Sequence, residues 1–213
     1  MKESLNKSQI ERFSRQLVLK NIGAKGQKKI LSSKILIVGV GGLGCPAAEN
    51  LVRAGIGNIG LIDNDIVNLS NIHRQSLFNS KDIKKSKVSV AAKKLKEINP
   101  FTKIKTYKSR LDENNIKKII KNYEIIIDGS DNFKTKFLIN DYCKKLKKKL
   151  VTGAISKFDG HVFTFDFNDR KTASLKSFYQ ENEISDDNLN CEFEGVLGTT
   201  ASIVGTTQAN EAL

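Results

Sequence analysis

Four short stretches of this sequence carry residues whose chemistry suits a phosphorylated ligand. The first is Gly39-Val40-Gly41-Gly42-Leu43-Gly44, a G-x-G-x-x-G. In such a turn Gly39 permits the tight bend, Gly41 lets a phosphate approach the backbone, and Gly44 lets the following helix pack close to the strand. Asp63 follows at about the 20-residue distance at which a carboxylate can hold ribose hydroxyls. The loop after it, Asn64 to Gln75, gathers Asp65, Asn71, Arg74 and Gln75. The fourth stretch, Asp128-Gly129-Ser130-Asp131-Asn132, places acids just past a short apolar run. Lys87 adds a cation in the first turn of a helix, where it opposes the dipole, so it needs an anion nearby or points to solvent. Each residue also has a plainer use. Arg74 and Lys87 can be solvated cations, and Asp131 can cap the helix that starts at Phe133. Asp65 can shape its turn, and Gln75 can hydrogen-bond within its loop.

These groups need elements to hold them, and the hydrophobic pattern supplies them. Ile35 to Val38 is too short for a helix and rich in branched residues, the mark of a strand buried on both faces. A helix opens after the glycines, with Pro46 in its first turn. A second strand, Asn58 to Ile62, ends at Asp63. Ile83 opens a helix that runs to about Ile98 and stops at Asn99-Pro100. Further strands are predicted at Ile104–Lys108, Ile125–Ile127 and Leu150–Ala154, with a half-exposed antiparallel strand at Gly160–Phe167. Helices are predicted at Asp112–Lys121 and Phe133–Lys147, the latter with Phe137, Leu138, Tyr142 and Leu146 as its apolar positions. Upstream, Ser8–Lys20 forms a helix capped by Ser8 with Glu11 in capping-box spacing, and Ala24–Leu31 forms a second. Lys171–Glu194 is polar, acidic and without period, as expected of a mobile lid or binding segment. Gly195–Leu213 is a closing helix.

The expected fold is therefore α/β and Rossmann-like. A mostly parallel sheet carries helices on both faces, two helices precede it, and an antiparallel strand extends it. One domain spans 1–213: N-terminal helices over 1–32, a nucleotide-binding core over 33–167, a mobile crossover loop over 168–194 and a C-terminal helix over 195–213. The chain has 36 Lys and Arg against 23 Asp and Glu, a net charge of +13. Lysine, asparagine and isoleucine are enriched together and the lysines are spread through the chain, so a compositional origin is favoured over nucleic-acid binding. The densest run, Lys144 to Lys149, ends a helix, where cations complement the dipole. No apolar run approaches 18 residues, MKESLNKSQIERF has no signal core, and Cys45, Cys143 and Cys191 show no pairing logic. A cytoplasmic location is expected. His73 and His161 stand alone and give no metal reading.

R-F-S-R-Q at Arg12–Gln16, V-G-x-G-G-L-G at Val38–Gly44, D-N-D-x-V-x-x-S-N-I-H-R-Q at Asp63–Gln75, K-V at Lys87 and D-G-S-D-N at Asp128–Asn132 together resemble the MoeB/ThiF/HesA family, bacterial relatives of the ubiquitin-activating enzymes. The resemblance runs from about Glu11 to the end of the chain. It implies an adenylyltransferase that activates the C-terminal Gly-Gly carboxylate of a ubiquitin-like sulfur carrier with Mg-ATP, leaving an acyl-adenylate and pyrophosphate. Molybdopterin synthesis is the first choice of pathway and thiamine thiazole the second. The resemblance further implies that Gly39, Gly41, Gly42 and Gly44 form the phosphate loop and that Asp63 holds the ribose. Ser70, Asn71 and Arg74 lie along the triphosphate, with Lys87 neutralising its charge, and Asp65 and Gln75 are further nucleotide-binding residues. Asp131 takes Mg²⁺ with Asn132 beside it. Arg15 would reach into the ATP site of a neighbouring subunit, which implies a homodimer; its plainer use is a pair with Glu11. A sulfurtransferase or cysteine desulfurase is an implied further partner.

The sequence departs from that pattern in two places. The family's first C-x-x-C zinc pair appears here as Ser174/Ser177, hydroxyls in place of thiolates, and the second would lie beyond Leu213, so zinc is not expected. The closing strands are absent too, which reads as a shortened or truncated chain. Cys191 matches a family cysteine that can link covalently to the carrier; an acidic loop would make it a poor thiolate. Rival readings are a nicotinamide-dependent oxidoreductase, activation of a carboxylate on a modified tRNA nucleoside, and a non-catalytic carrier-binding relative.

Overall fold

The computed structural model describes residues 5–179 and 195–213. Three helical segments lead in: α1 (Lys7–Arg12), α2 (Ser14–Leu17) and α3 (Gly23–Ser32). The core follows as β1 (Lys34–Val38), α4 (Gly44–Ala54), β2 (Asn58–Ile62), α5 (Lys87–Ile98), β3 (Lys103–Tyr107), α6 (Ile116–Ile120), β4 (Ile125–Asp128), α7 (Phe133–Lys145), β5 (Lys149–Ser156), β6 (Asp159–Asp166) and α8 (Gly198–Ala212). The six strands form one sheet in the order β3-β2-β1-β4-β5-β6. The first five run parallel and β6 is antiparallel to β5. The expected Rossmann-like α/β fold with its antiparallel extension is therefore present.

The continuous apolar runs of the central strands follow from this topology, because each strand feeds two cores. Ile35 and Ile37 of β1 point into a cluster with Leu51, Val52, Ile59, Leu61 and Leu95. Leu36 and Val38 point the other way, toward Ile116, Ile120, Ile126, Ile139 and Phe165. A strand buried on both faces has no polar alternation to keep.

Several boundaries differ from the sequence reading, each for a local reason. The first helix is capped by Asn6 and Gln9, in a full capping box, and not by Ser8 and Glu11. It breaks at Phe13, whose ring is 2% exposed and packs against Gly55; burying that ring turns the chain inward between α1 and α2. The helix expected from Ile83 starts at Lys87, because Lys84 sits at φ 68° and cannot be helical. Over 112–121 only Ile116–Ile120 is helical; the Asp112 carboxylate instead accepts from the amides of Asn114 and Asn115 and builds a turn. On α7 the most deeply buried apolar side chains are Ile139 and Cys143, while Leu138, Tyr142 and Leu146 are only partly covered. The start of the stretch read as a mobile loop is anchored: Leu175, in a single 3₁₀ turn capped through Ser174 and Ser177, is 1% exposed. Cys191 lies outside the described residues.

Gly44 shows how tightly the glycine turn is packed. A Cβ there would overlap the Gly39 carbonyl oxygen. Backbone cannot move aside as a side-chain tip can, so Gly44→Ala is expected to cost about 3 kcal/mol or more. A urea titration of the variant measures it.

Candidate active site

The turns at the C-terminal ends of β1, β2, β4 and β5 surround a cleft of about 640 Å³. This is where ligands bind in an open parallel sheet, because the strand order reverses between β1 and β4 and leaves a crevice. Gly39, Gly41 and Gly42 line it. Gly39 takes φ +84°, and a Cβ there would lie 2.8 Å from the Gly129 carbonyl oxygen. The two strand-tip turns meet only because no side chain stands between them. Gly44 does not line the cleft; its task is the helix–turn contact described above.

Asp63 stands at the tip of β2. Its Oδ2 accepts from the Val40 amide at 2.7 Å and its Oδ1 from the Asp65 amide at 2.8 Å. Burial pushes its carboxyl above the ordinary range, against the pull of the nearby Lys87 charge and those two amide bonds. The carboxylate is thereby locked onto the glycine turn while still lining the cleft.

Lys87 answers the question its sequence position posed. It is the first residue of α5 and is 6% exposed, and its Nζ donates to Asp65 Oδ2 at 2.9 Å. A backbone clamp sets this up. The Val67 amide donates to the Lys85 carbonyl, the Lys84 amide to the Val67 carbonyl and the Lys87 amide to the Asp65 carbonyl. Asp65 therefore shapes its turn and also pairs Lys87; the solvent-directed reading of Lys87 is overturned. The side chain is buried on its pair with Asp65 and lines the cleft.

Arg74 leaves a 3₁₀ turn over Leu69–Asn71. Its Nη1 donates to the Ser70 carbonyl at 3.0 Å and lies 2.8 Å from His73 Nε2. Among the described residues no carboxylate pairs with it, and its stem lies over Gly42 and Gly198. Asn71 lines the cleft, but its Oδ1 is taken by the Asn68 amide. Ser70 does not line the cleft; its carbonyl steadies Arg74. Gln75 is 4% exposed, with its amide under Gly41 and its Oε1 without a partner. An unsatisfied buried acceptor is costly.

On the opposite wall the helix cap is Asn132, whose side chain accepts from the Thr135 amide at 2.9 Å. The capping alternative for Asp131 thus fails. Asp131 is exposed, and its Oδ1 accepts from Asn132 Nδ2 at 3.1 Å. Its second oxygen is free for a cation. Arg15 lies on α2, exposed, outside the cleft and without an ion pair to Glu11.

The sequence reading missed a buried group beneath this wall. Asp128, fully buried, binds Ser130 and Thr152, and Lys136 of α7 reaches it. The signal was present: Lys136 shares the helical face of Ile139, Asn140 and Cys143, and a lysine on a buried face needs an anion. Cys45 and Cys143 are both buried. Burial pushes the Cys45 thiol up to about 12 and raises that of Cys143 as well, so both are inert as nucleophiles.

The donor set fits a magnesium–nucleotide complex. Glycine turns and two basic side chains line the cleft, and Asp131 offers the hard oxygen that Mg²⁺ prefers. Among the described residues no group of three or more His, Cys, Asp or Glu could hold a metal alone. A cation at Asp131 would take its other ligands from phosphate oxygens and water.

Fold and site together define a Rossmann-like α/β domain with a cleft, lined by glycine turns and the basic Arg74 and Lys87, at the carboxyl ends of its strands. Comparison narrows this: residues 13–213 match the ThiF family, and the chain belongs to it. It is 42% identical over 203 residues to the "Probable molybdopterin-synthase adenylyltransferase" of Porphyra purpurea, covering 95% of this chain and 53% of that protein. It is 35% identical to the "Sulfur carrier protein adenylyltransferase" of Thermus thermophilus, covering 97% and 78%. The chain spans about half the length of several curated relatives that it matches. Among solved structures, E. coli MccB shares the fold with a TM-score of 0.82 at 21% identity, over 97% of this chain and 62% of that one. E. coli tRNA N6-threonylcarbamoyladenosine dehydratase, in complex with AMP, superposes with a TM-score of 0.67 at 30% identity, over 70% and 61%.

Proposed function

We propose that this chain adenylates the C-terminal Gly-Gly carboxylate of a ubiquitin-like sulfur carrier, with molybdopterin synthesis the first choice of pathway and thiamine thiazole the second. The observation that carries this reading is the convergence of Gly41, Gly42, Asp63, Arg74, Lys87 and Asp131, from separate motifs, on one cleft. The relatives' names support the reaction class. A carboxylate is a poor nucleophile, so positioning and charge neutralisation must supply most of the acceleration.

In this reading Asp63 holds the ribose, and the glycine turn receives the phosphates. Arg74 and Lys87 face the triphosphate, and Asn71 and Gln75 flank it. A carboxylate oxygen of the carrier attacks the α-phosphorus, the bond to the β-phosphate breaks, and pyrophosphate leaves. Mg²⁺, held by Asp131, would neutralise charge on the phosphate oxygens. The nucleotide displaces Lys87 from Asp65 only in part: one ammonium can serve both carboxylate and phosphate with its three donors. Arg15 reaches the cleft of a second copy, and the homodimer is supported by the apolar surface beside it, where Val18 is 75% and Leu19 51% exposed. Cys191 stays a candidate for a covalent link to the carrier, and a sulfurtransferase or desulfurase a candidate partner.

ATP–pyrophosphate exchange with carriers ending in Gly-Gly, each paired with a version lacking those glycines, tests the reading. Exchange that needs the glycines is expected. No exchange from folded, dimeric protein overturns it in favour of a non-catalytic carrier-binding role. A second reading, carboxylate activation on a modified tRNA nucleoside, is favoured by the net charge of +13 and the likeness to the tRNA dehydratase. ATP turnover stimulated by tRNA and falling steeply with salt would select it.

A further inference from the structure

We infer that Lys136 is a positioning residue for the turn that carries Asp131 and Asn132, acting through the buried carboxylate of Asp128. The inference rests on the reading of the cleft as a Mg-ATP site. Lys136 lies one turn into α7 and is 4% exposed. Its Nζ is 3.3 Å from Asp128 Oδ2 and donates to the Gly153 carbonyl at 2.5 Å. Asp128, the last residue of β4, has no exposed surface. Its Oδ2 also accepts from Thr152 Oγ1 at 2.6 Å, and its Oδ1 accepts from the Ser130 amide at 2.9 Å and the Ser130 hydroxyl at 2.6 Å. One carboxylate therefore joins the turn after β4, the start of α7 and the middle of β5.

Energetics argue that the pair is more than filling. Burying two charges costs several kcal/mol each, and apolar replacements of such pairs are often neutral or stabilising. The same face of α7 already packs apolar side chains at Ile139 and Cys143. What the pair supplies that an apolar contact cannot is direction. The turn from Gly129 to Asn132 has two anchors: Ser130 on Asp128 at one end, and the Asn132 cap on Thr135 at the other. Asp131 sits between them. With Lys136 removed, the Asp128 carboxylate loses the contact that ties its Oδ2 to α7. Its oxygens are then no longer fixed toward Ser130, and one anchor of the Asp131 turn loosens.

The test uses Lys136→Met and Lys136→Arg in the full chain. Two quantities are read: amide exchange at Ser130 without nucleotide or metal, and the Mg²⁺ concentration at half-maximal ATP binding by calorimetry. In Lys136→Met, exchange at Ser130 is expected to accelerate about 10-fold or more relative to β1 amides, and the Mg²⁺ midpoint to rise about 10-fold. Lys136→Arg keeps the charge and should return both to within about three-fold of wild type. If exchange instead accelerates evenly across the sheet and the Mg²⁺ midpoint stays put, Lys136 is merely structural and the inference falls. Should Lys136→Met not fold, Thr152→Val removes only the neutral donor to the same oxygen and should shift both readouts in the same direction by about three-fold; no shift overturns the inference equally. Wild-type protein that binds no ATP would remove the nucleotide reading, while exchange at Ser130 would still decide whether Lys136 orders the turn.

Discussion

Asp131→Ala should lower carrier-dependent ATP–pyrophosphate exchange by about 10³-fold or more, with the folded structure intact. The size follows from what the residue can do. It is exposed, caps no helix, and among the described residues its side chain hydrogen-bonds with Asn132, so its loss opens no cavity and leaves no buried group unpaired. Substitutions of that kind change stability by about 0.5 kcal/mol at most. In the proposed reaction its second oxygen would be a hard donor for a cation in the cleft, and without that cation the charge on the leaving pyrophosphate would be left to Arg74 and Lys87. Exchange kinetics and a thermal melt measured together check both halves. Near-normal exchange would remove Asp131 as the magnesium residue.

Arg15→Ala and Arg74→Ala should each lower exchange by about 10²-fold or more as homodimers, in the range seen when a charge-stabilising arginine is removed. Mixed one to one and allowed to exchange subunits, the two variants should recover about a quarter of wild-type activity, since half the dimers are mixed and each mixed dimer carries one whole site. The physical basis is that Arg15 is exposed, unpaired with Glu11 and outside its own cleft, while Arg74 is inside it. Activity that stays at the homodimer level, in samples shown to contain mixed dimers, would place both arginines in the same subunit's chemistry or remove Arg15 from it.

Much of the architecture was legible in the residues. Branched apolar runs gave β1 and β4, because a strand covered on both faces must be apolar throughout. Glycine spacing gave the turn into α4, because only glycine accepts φ +84° at residue 39 and the contact of Gly44 with the Gly39 carbonyl. Local signals were less decisive where two segments competed. Asn6 and Ser8 both can cap α1, and the cap fell to Asn6 through its reciprocal bonds with Gln9, while the burial of Phe13 against Gly55 ends the helix. The same applies to α5, whose start was set by the pairing of Ile66 with Ser86 and the left-handed Lys84.

Within the site, sequence alone determined which chemistry was available: glycines for phosphate, Asp63, Asp65, Arg74, Lys87 and Asp131, in an order that resembles one family. Only the tertiary structure decided how those groups divide their work. Asp131 or Asn132 could each have capped α7, and the cap fell to Asn132, which frees Asp131. Lys87 could have faced water, and the clamp between residues 65–67 and 84–87 turned it onto Asp65. Asp128 and Asp131 are three positions apart and alike on paper. One is sealed against Lys136 and the other open to the cleft, because burial and partner choice depend on contacts between β4, β5 and α7 that no local pattern encodes.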